Sequence, residues 1–218
     1  MINIIFIAPP SAGKGTQSEL LKEKYGYTHI STGDLLRNVV KEGTELGKEI
    51  AAIQEAGELV SDEIVNKLLI DALKSSDKFI LDGYPRNIDQ AENLTNIFNE
   101  LNITDYVTMY LDIDGDTAMK RVLGRITCSG CSAIYNRYTE NLKPTVDGIC
   151  DKCSKEIIQR SDDNEESFKK RFDTYISNLE PVMNYYKDLG VLRYVKVEDD
   201  KMDTCKNIED VLNDYCKK

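Results

Sequence analysis

The chain has 218 residues, 41% of them hydrophobic and 30% charged, with 28 Lys plus Arg against 38 Asp plus Glu and a net charge of -10. That length can bury a core as one folded unit, and the lack of any linker-like or low-complexity run excludes a disordered chain. The acidic balance repels a nucleic-acid backbone or an anionic membrane, so neither is expected as a partner, and any phosphate must meet a local basic cluster.

The apolar run Ile2 to Ile7 is far shorter than the roughly 20 residues of a membrane span. It also lacks the basic flank and cleavage site of a secretory leader. It reads as a buried strand, and the chain as a soluble cytoplasmic protein. The strand runs into Ala8-Pro-Pro-Ser-Ala-Gly-Lys-Gly-Thr16, and a helical pattern follows to Tyr25. Residues 31–60 hold two helical patterns with no strand between them. From Ser61 to Leu73, Ile64, Val65, Leu68, Leu69 and Ala72 share one helical face. Strands are then expected at 78–82, 106–112 and 191–197, with helices at Asp89 to Leu101 and Glu165 to Tyr175. This alternation predicts an α/β fold, a parallel sheet with helices on both faces. The two segments that break the rhythm, 31–60 and 126–160, read as inserts on a core made of 1–30, 61–125 and 161–218.

The stretch APPSAGKGT follows a strand and opens a helix, the context of the phosphate loop G-x-x-x-x-G-K-[ST], where backbone N–H groups and a lysine face phosphate oxygens. Its first glycine is replaced by Ala8, and Gly15 separates Lys14 from the Thr16 hydroxyl. Taken alone, the stretch also fits an ordinary strand-to-helix turn capped by Thr16.

The turn-rich insert carries Cys128-Ser-Gly-Cys131 and Cys150-Asp-Lys-Cys153, with eighteen residues between the pairs. Two CxxC knuckles at such a spacing suit one tetrahedral Zn²⁺ held by four thiolates. A redox CxxC is the competing reading, although it needs no second pair and normally opens a helix. Cys205 and Cys216 stand apart, with no role assigned.

Behind the loop stand Thr32-Gly-Asp-Leu-Leu-Arg37 and Asp82-Gly-Tyr-Pro-Arg86, followed by Gln90. In this order the three motifs resemble those of the adenylate kinases within the nucleoside monophosphate kinase family. The resemblance runs through essentially the whole chain, and the cysteine insert resembles the zinc-bearing lid of some bacterial members. The family's loop usually reads GxPGxGKGT; Pro10, Gly13, Lys14, Gly15 and Thr16 are kept, while Ala8 and Ser11 depart. If either departing position needs a positive φ, its backbone is strained; Ser11 could instead turn its hydroxyl toward the phosphates. In the lid, Asn136 and Lys143 also depart, from a Tyr-His and a Pro-Pro.

The resemblance implies a P-loop α/β/α fold and the reaction ATP + AMP = 2 ADP with Mg²⁺, in a monomer. For ATP it implies the loop residues Ser11, Ala12, Gly13, Lys14, Gly15 and Thr16, with Arg121 at the adenine, Arg125 at the phosphates, and Ile134 and Tyr135 flanking the base. For AMP it implies Thr32, Gln90 and the segment Glu58, Leu59 and Val60 around the adenine, Arg37 and Arg86 on the phosphate, and the turn Gly83, Tyr84 and Pro85. Arg160 and Arg171 close over both substrates, and Lys14, Arg86, Arg125, Arg160 and Arg171 form the catalytic set. Asp82 holds Mg²⁺ through water, its other reading being a turn-forming Asp. Cys128, Cys131, Cys150 and Cys153 bind structural Zn²⁺.

No general base is evident. His29, the sole histidine, reads as an ordinary surface or packing residue, and Asp162-Asp163 could simply cap a helix near Asn164. Uridylate and cytidylate kinases share similar motifs, including Asn87 and Asp89; Thr32 and Gln90 favour AMP. A nucleotide-binding sensor without turnover is the reading from another class.

Overall fold

The computed structural model describes residues 2–56, 58 and 60–215. Strand β1 (Asn3–Ile7) is buried on both faces because its residues alternate between two cores. Ile5 and Ile7 join one cluster, and Ile4 and Phe6 the other, as the two-residue period of a strand requires. Strands β2 (Thr28–Ser31), β3 (Phe79–Asp82), β4 (Tyr106–Asp112) and β8 (Leu192–Lys196) complete a five-stranded sheet in the order β2-β3-β1-β4-β8. Every pairing is parallel. Helices flank both faces, giving the α/β/α architecture expected of a P-loop fold. Helices α1 (Lys14–Tyr25) and α8 (Lys201–Tyr215) supply Leu21 and Ile208 to the core on one side. On the other side α4 (Asp62–Lys74), α5 (Ile88–Glu100) and α7 (Glu165–Asp188) supply Leu69, Phe98 and Tyr186.

Between β2 and α4 the chain forms α2 (Thr32–Lys41) and α3 (Glu45–Glu55), capped by Ser31 and Thr44 side chains. After α6 (Gly115–Gly124) comes a separate antiparallel sheet of β5 (Arg125–Cys128), β6 (Ile134–Asn136) and β7 (Ile157–Ile158). Asn136 anchors its base. The amide Nδ2 donates to Arg121 O at 2.9 Å and the Oδ1 accepts from Tyr138 N at 2.9 Å. A Cβ on Gly124 would stand 2.5 Å from that Oδ1, so the approach needs glycine. No helix among the described residues is long and apolar enough to cross a membrane.

The order places β1 centrally with β3 and β4 on either side, so the carboxyl ends of β1 and β3 open onto one crevice. In open parallel sheets, ligands collect at such points. The Ala8–Gly13 loop leaves β1 there, and Asp82 ends β3 beside it.

Candidate active site

The loop carries its charge on a strained frame. Gly13 is the N-cap of α1 at φ 94°, and no side chain caps the helix. Thr16 therefore does not close the turn, and the helix N-terminus keeps backbone N–H groups for an anion. Ser11 sits at φ 60° with its Oγ buried and without a hydrogen-bond partner among the described residues. The left-handed region costs a non-glycine residue roughly 1–2 kcal/mol. Ala8 is not among the positive-φ residues. Lys14 Nζ donates to Ala8 O at 3.2 Å and Pro9 O at 3.0 Å, and stands 3.9 Å from Asp82 Oδ1. Burial lowers its pKa, Asp82 opposes that shift, and Arg86, Arg125 and Arg171 add to it.

His29 Nε2 lies 3.4 Å from Asp82 Oδ2, outside hydrogen-bond geometry, and finds no other partner among the described residues. Burial opposes its positive charge, but Asp82 outweighs burial and raises the pKa. No local pattern signals this contact, because the two residues meet only through the pairing of β2 with β3.

The arginines arrive from different elements. Arg125, at the start of β5, gives Nε to Asp163 Oδ2 at 2.7 Å and Nη2 to Asp163 Oδ1. Arg171 on α7 donates to Asp162 Oδ2 at 2.7 Å and Asp162 O at 2.8 Å. The two aspartates thus hold arginines, and Asn164 caps α7 itself by accepting from Ser167 N at 2.9 Å. Arg37 binds Asp34 within its own helix at 2.6 Å. Arg86 is solvent-exposed and donates Nε to Gly83 O at 2.8 Å. Arg121 donates to Glu198 O at 3.0 Å. Arg160 differs. Its half-buried guanidinium has no hydrogen-bond or ion-pair partner among the described residues. Burial first, then Arg37 and Arg125, push its pKa down to about 10, against a weaker pull from Asp163 and Asp34. A cation held in this way has room for a closer anion.

A cavity beside these groups is lined by Thr32, Glu58, Val60, Gly83, Tyr84, Arg86 and Gln90, all expected there, and by Leu36, Gln54 and Val65, which carry no motif. Thr32 Oγ1 donates to Gly83 O at 3.0 Å. Gly83 has φ 84°, and a Cβ on it would stand 2.8 Å from Thr32 Oγ1, so glycine is required twice over. Pro85 and Arg37 do not line the cavity, and Leu59 lies outside the described residues.

The β5–β7 sheet covers the loop from above. Ile134 is close enough that a Cβ on Gly15 would lie 2.8 Å from its Cδ1. Tyr135 turns the other way. Its hydroxyl is 3.4 Å from Cys150 Sγ and accepts from Asp151 N at 2.9 Å. Cys128, Cys131, Cys150 and Cys153 have sulfurs all within 4.8 Å of one another. Cys128 and Cys153 sulfurs are 3.4 Å apart, and those of Cys131 and Cys150 are 3.6 Å apart. A tetrahedron with metal–sulfur bonds of about 2.3 Å has edges of about 3.8 Å, so the cluster fits a metal. The Gly130 and Cys131 N–H groups also point at Cys128 Sγ, at 3.3 and 3.5 Å.

Comparison with known proteins gives one consistent result. A family model described as adenylate kinase matches residues 6–191. Similar proteins include the adenylate kinase of Thermodesulfovibrio yellowstonii, 42% identical over 99% of this chain and 97% of that one. That of Petrotoga mobilis is 40% identical over 99% of this chain and all of its own length. That of Nitrosococcus oceani is 43% identical over 95% and 97%.

Proposed function

The chain belongs to the adenylate kinase family, and on that premise we propose that it catalyses MgATP + AMP = 2 ADP with the residues just described. The observation that carries the reading is Arg160, a half-buried cation that Arg37 and Arg125 repel and that no carboxylate among the described residues approaches closely enough to pair. Phosphates of two nucleotides meeting there would supply the anion.

Phosphoryl transfer needs two substrates held in line and positive charge spread over the transferring group. Lys14 and the uncapped N-terminus of α1 would hold the donor phosphates, with the Ser11 hydroxyl available to them. Arg86 and Arg37 would hold the acceptor phosphate, and Arg125, Arg160 and Arg171 would bridge donor and acceptor. On binding, Lys14 would exchange the Ala8 and Pro9 carbonyls for phosphate oxygens. Asp82, its carboxylate beside the loop, is the residue that would hold Mg²⁺ through water; the ion would neutralise charge on the donor phosphates. No side-chain base is required, because the attacking acceptor oxygen is already anionic. We assign the acceptor base to the cavity between Thr32 and Gln90, where the 31–60 insert meets the core, and the 126–160 insert to a lid that excludes water. The four cysteines would hold Zn²⁺ as a structural ion, since four thiolates leave no open position.

Steady-state ADP formation by zinc-loaded protein with MgATP, comparing AMP with UMP, CMP and GMP, tests the reading. Fast turnover with AMP alone supports it. Turnover with UMP or CMP points to the pyrimidine kinases, and nucleotide binding without turnover points to a sensor.

A further inference from the structure

Gln90 is 4% exposed and uses its amide in two directions. Its Oε1 accepts from Arg86 N at 2.7 Å, and its Nε2 donates to Asp62 Oδ1 at 2.6 Å. A backbone N–H can only donate and a carboxylate can only accept. These partners therefore force one of the two amide orientations that would otherwise be interchangeable. The amide of Gln90 retains one N–H and one oxygen lone pair, at the wall of the cavity it shares with Thr32, Val60 and Gly83.

A donor beside an acceptor in fixed order reads a purine edge. Adenine presents an amino donor at position 6 and an acceptor at N1, whereas a 6-oxopurine presents an acceptor at position 6 and an N1–H donor. An amide free to rotate by half a turn would pair with both. One that is held can pair with a single order, and the other order leaves buried groups unsatisfied.

We propose that Asp62 is a positioning residue for acceptor selectivity: its carboxylate, acting with the Arg86 N–H, locks the Gln90 amide in the orientation that takes a 6-aminopurine and refuses a 6-oxopurine. The inference rests on the adenylate kinase reading and extends it to an exposed residue at the first turn of α4 that does not itself line the cavity but bonds to Gln90, which does. Gln90 itself is fixed from below, since Asn87 Oδ1 accepts from Gln90 N at 2.9 Å and caps α5.

The test measures kcat and KM for AMP and for IMP at saturating MgATP in the wild type, Asp62→Ala and Asp62→Asn, with KM for MgATP and the melting midpoint as controls. IMP reverses the order without adding the 2-amino group of GMP. Asp62→Ala is expected to raise KM for AMP about tenfold and to shrink the preference for AMP over IMP about tenfold. Saturating kcat and KM for MgATP should stay within about twofold. Asp62→Asn, whose amide oxygen can still accept from Gln90, should restore the preference. An unchanged preference in Asp62→Ala overturns the proposal. So does a joint fall of kcat, donor affinity and melting midpoint in both variants, which would make Asp62 only a helix-end residue. A wild type inactive with AMP would instead refute the underlying function, whereas an active wild type with an unaffected Asp62→Ala variant refutes this inference alone.

Discussion

Asp163, whose side chain is completely shielded from solvent, receives two nitrogens of Arg125 and lies 3.7 Å from Arg171 Nη2. One carboxylate thus ties the first residue of the β5–β7 sheet to the long helix α7 and holds two of the cations gathered beside the loop.

Removing it leaves Arg125, itself largely buried, without its partner. Breaking a buried pair from one side costs about 3–5 kcal/mol. Asp163→Ala should lose stability of that order in urea unfolding, and saturating ATP should recover part of the loss, because its phosphates offer Arg125 another anion. A loss under about 1 kcal/mol would place the pair among weak surface bridges.

Arg160 predicts the opposite balance. With burial and two neighbouring arginines outweighing the attraction of Asp163 and Asp34, and no hydrogen-bond or ion-pair partner among the described residues, Arg160→Met should leave stability unchanged or higher. It should reduce kcat/KM about 10²- to 10³-fold, the range for removing one group aimed at developing charge. Unfolding curves and steady-state kinetics on the same preparation check both signs.

Ser11 at φ 60° carries a conformation that glycine adopts freely. Ser11→Gly should therefore gain about 1 kcal/mol of stability. If the buried hydroxyl meets a phosphate, KM for MgATP should rise about tenfold. A stability gain with an unchanged KM would confine Ser11 to a backbone effect.

The cysteine cluster should bind about one Zn²⁺ per chain, measured by elemental analysis. The sheet around it has a small core of Ile126, Tyr135, Ile157 and two of the cysteines. Stripping the metal should make 126–160 the first site of limited proteolysis, because so small a core depends on its metal for order. A metal-free 126–160 segment as protease-resistant as the loaded one would show that the ion is dispensable.

What the sequence made legible follows from distance along the chain. β1, β3 and β4 are mostly apolar runs and β8 is a short run rich in Val, Leu and Tyr, so all four could be read directly. β2 could not: it is a four-residue edge strand with only Ile30 buried. Helix α7 continues to Asp188, well past Tyr175, because Leu179, Val182 and Tyr186 pack one face on the core even though Pro181, a helix-breaking signal in the sequence, falls inside it. The loop and the arginine motifs are local and visible. Asp163 and Asp62 were not, since their partners lie 38 and 28 residues away and only tertiary packing joins them. Tyr135 shows the converse. A lid position expected to flank the donor base turns its hydroxyl into the cysteine cluster, a direction that strand position alone did not reveal.

The most direct measurement follows ATP labelled at the γ-phosphate through single turnovers with and without AMP, separating labelled ADP from free phosphate. Label passing into ADP, with hydrolysis to free phosphate at most a small side reaction, is the result expected of a covered arginine cluster that holds donor and acceptor together. Label released mainly as free phosphate, or retained in ATP when AMP is present, would contradict it.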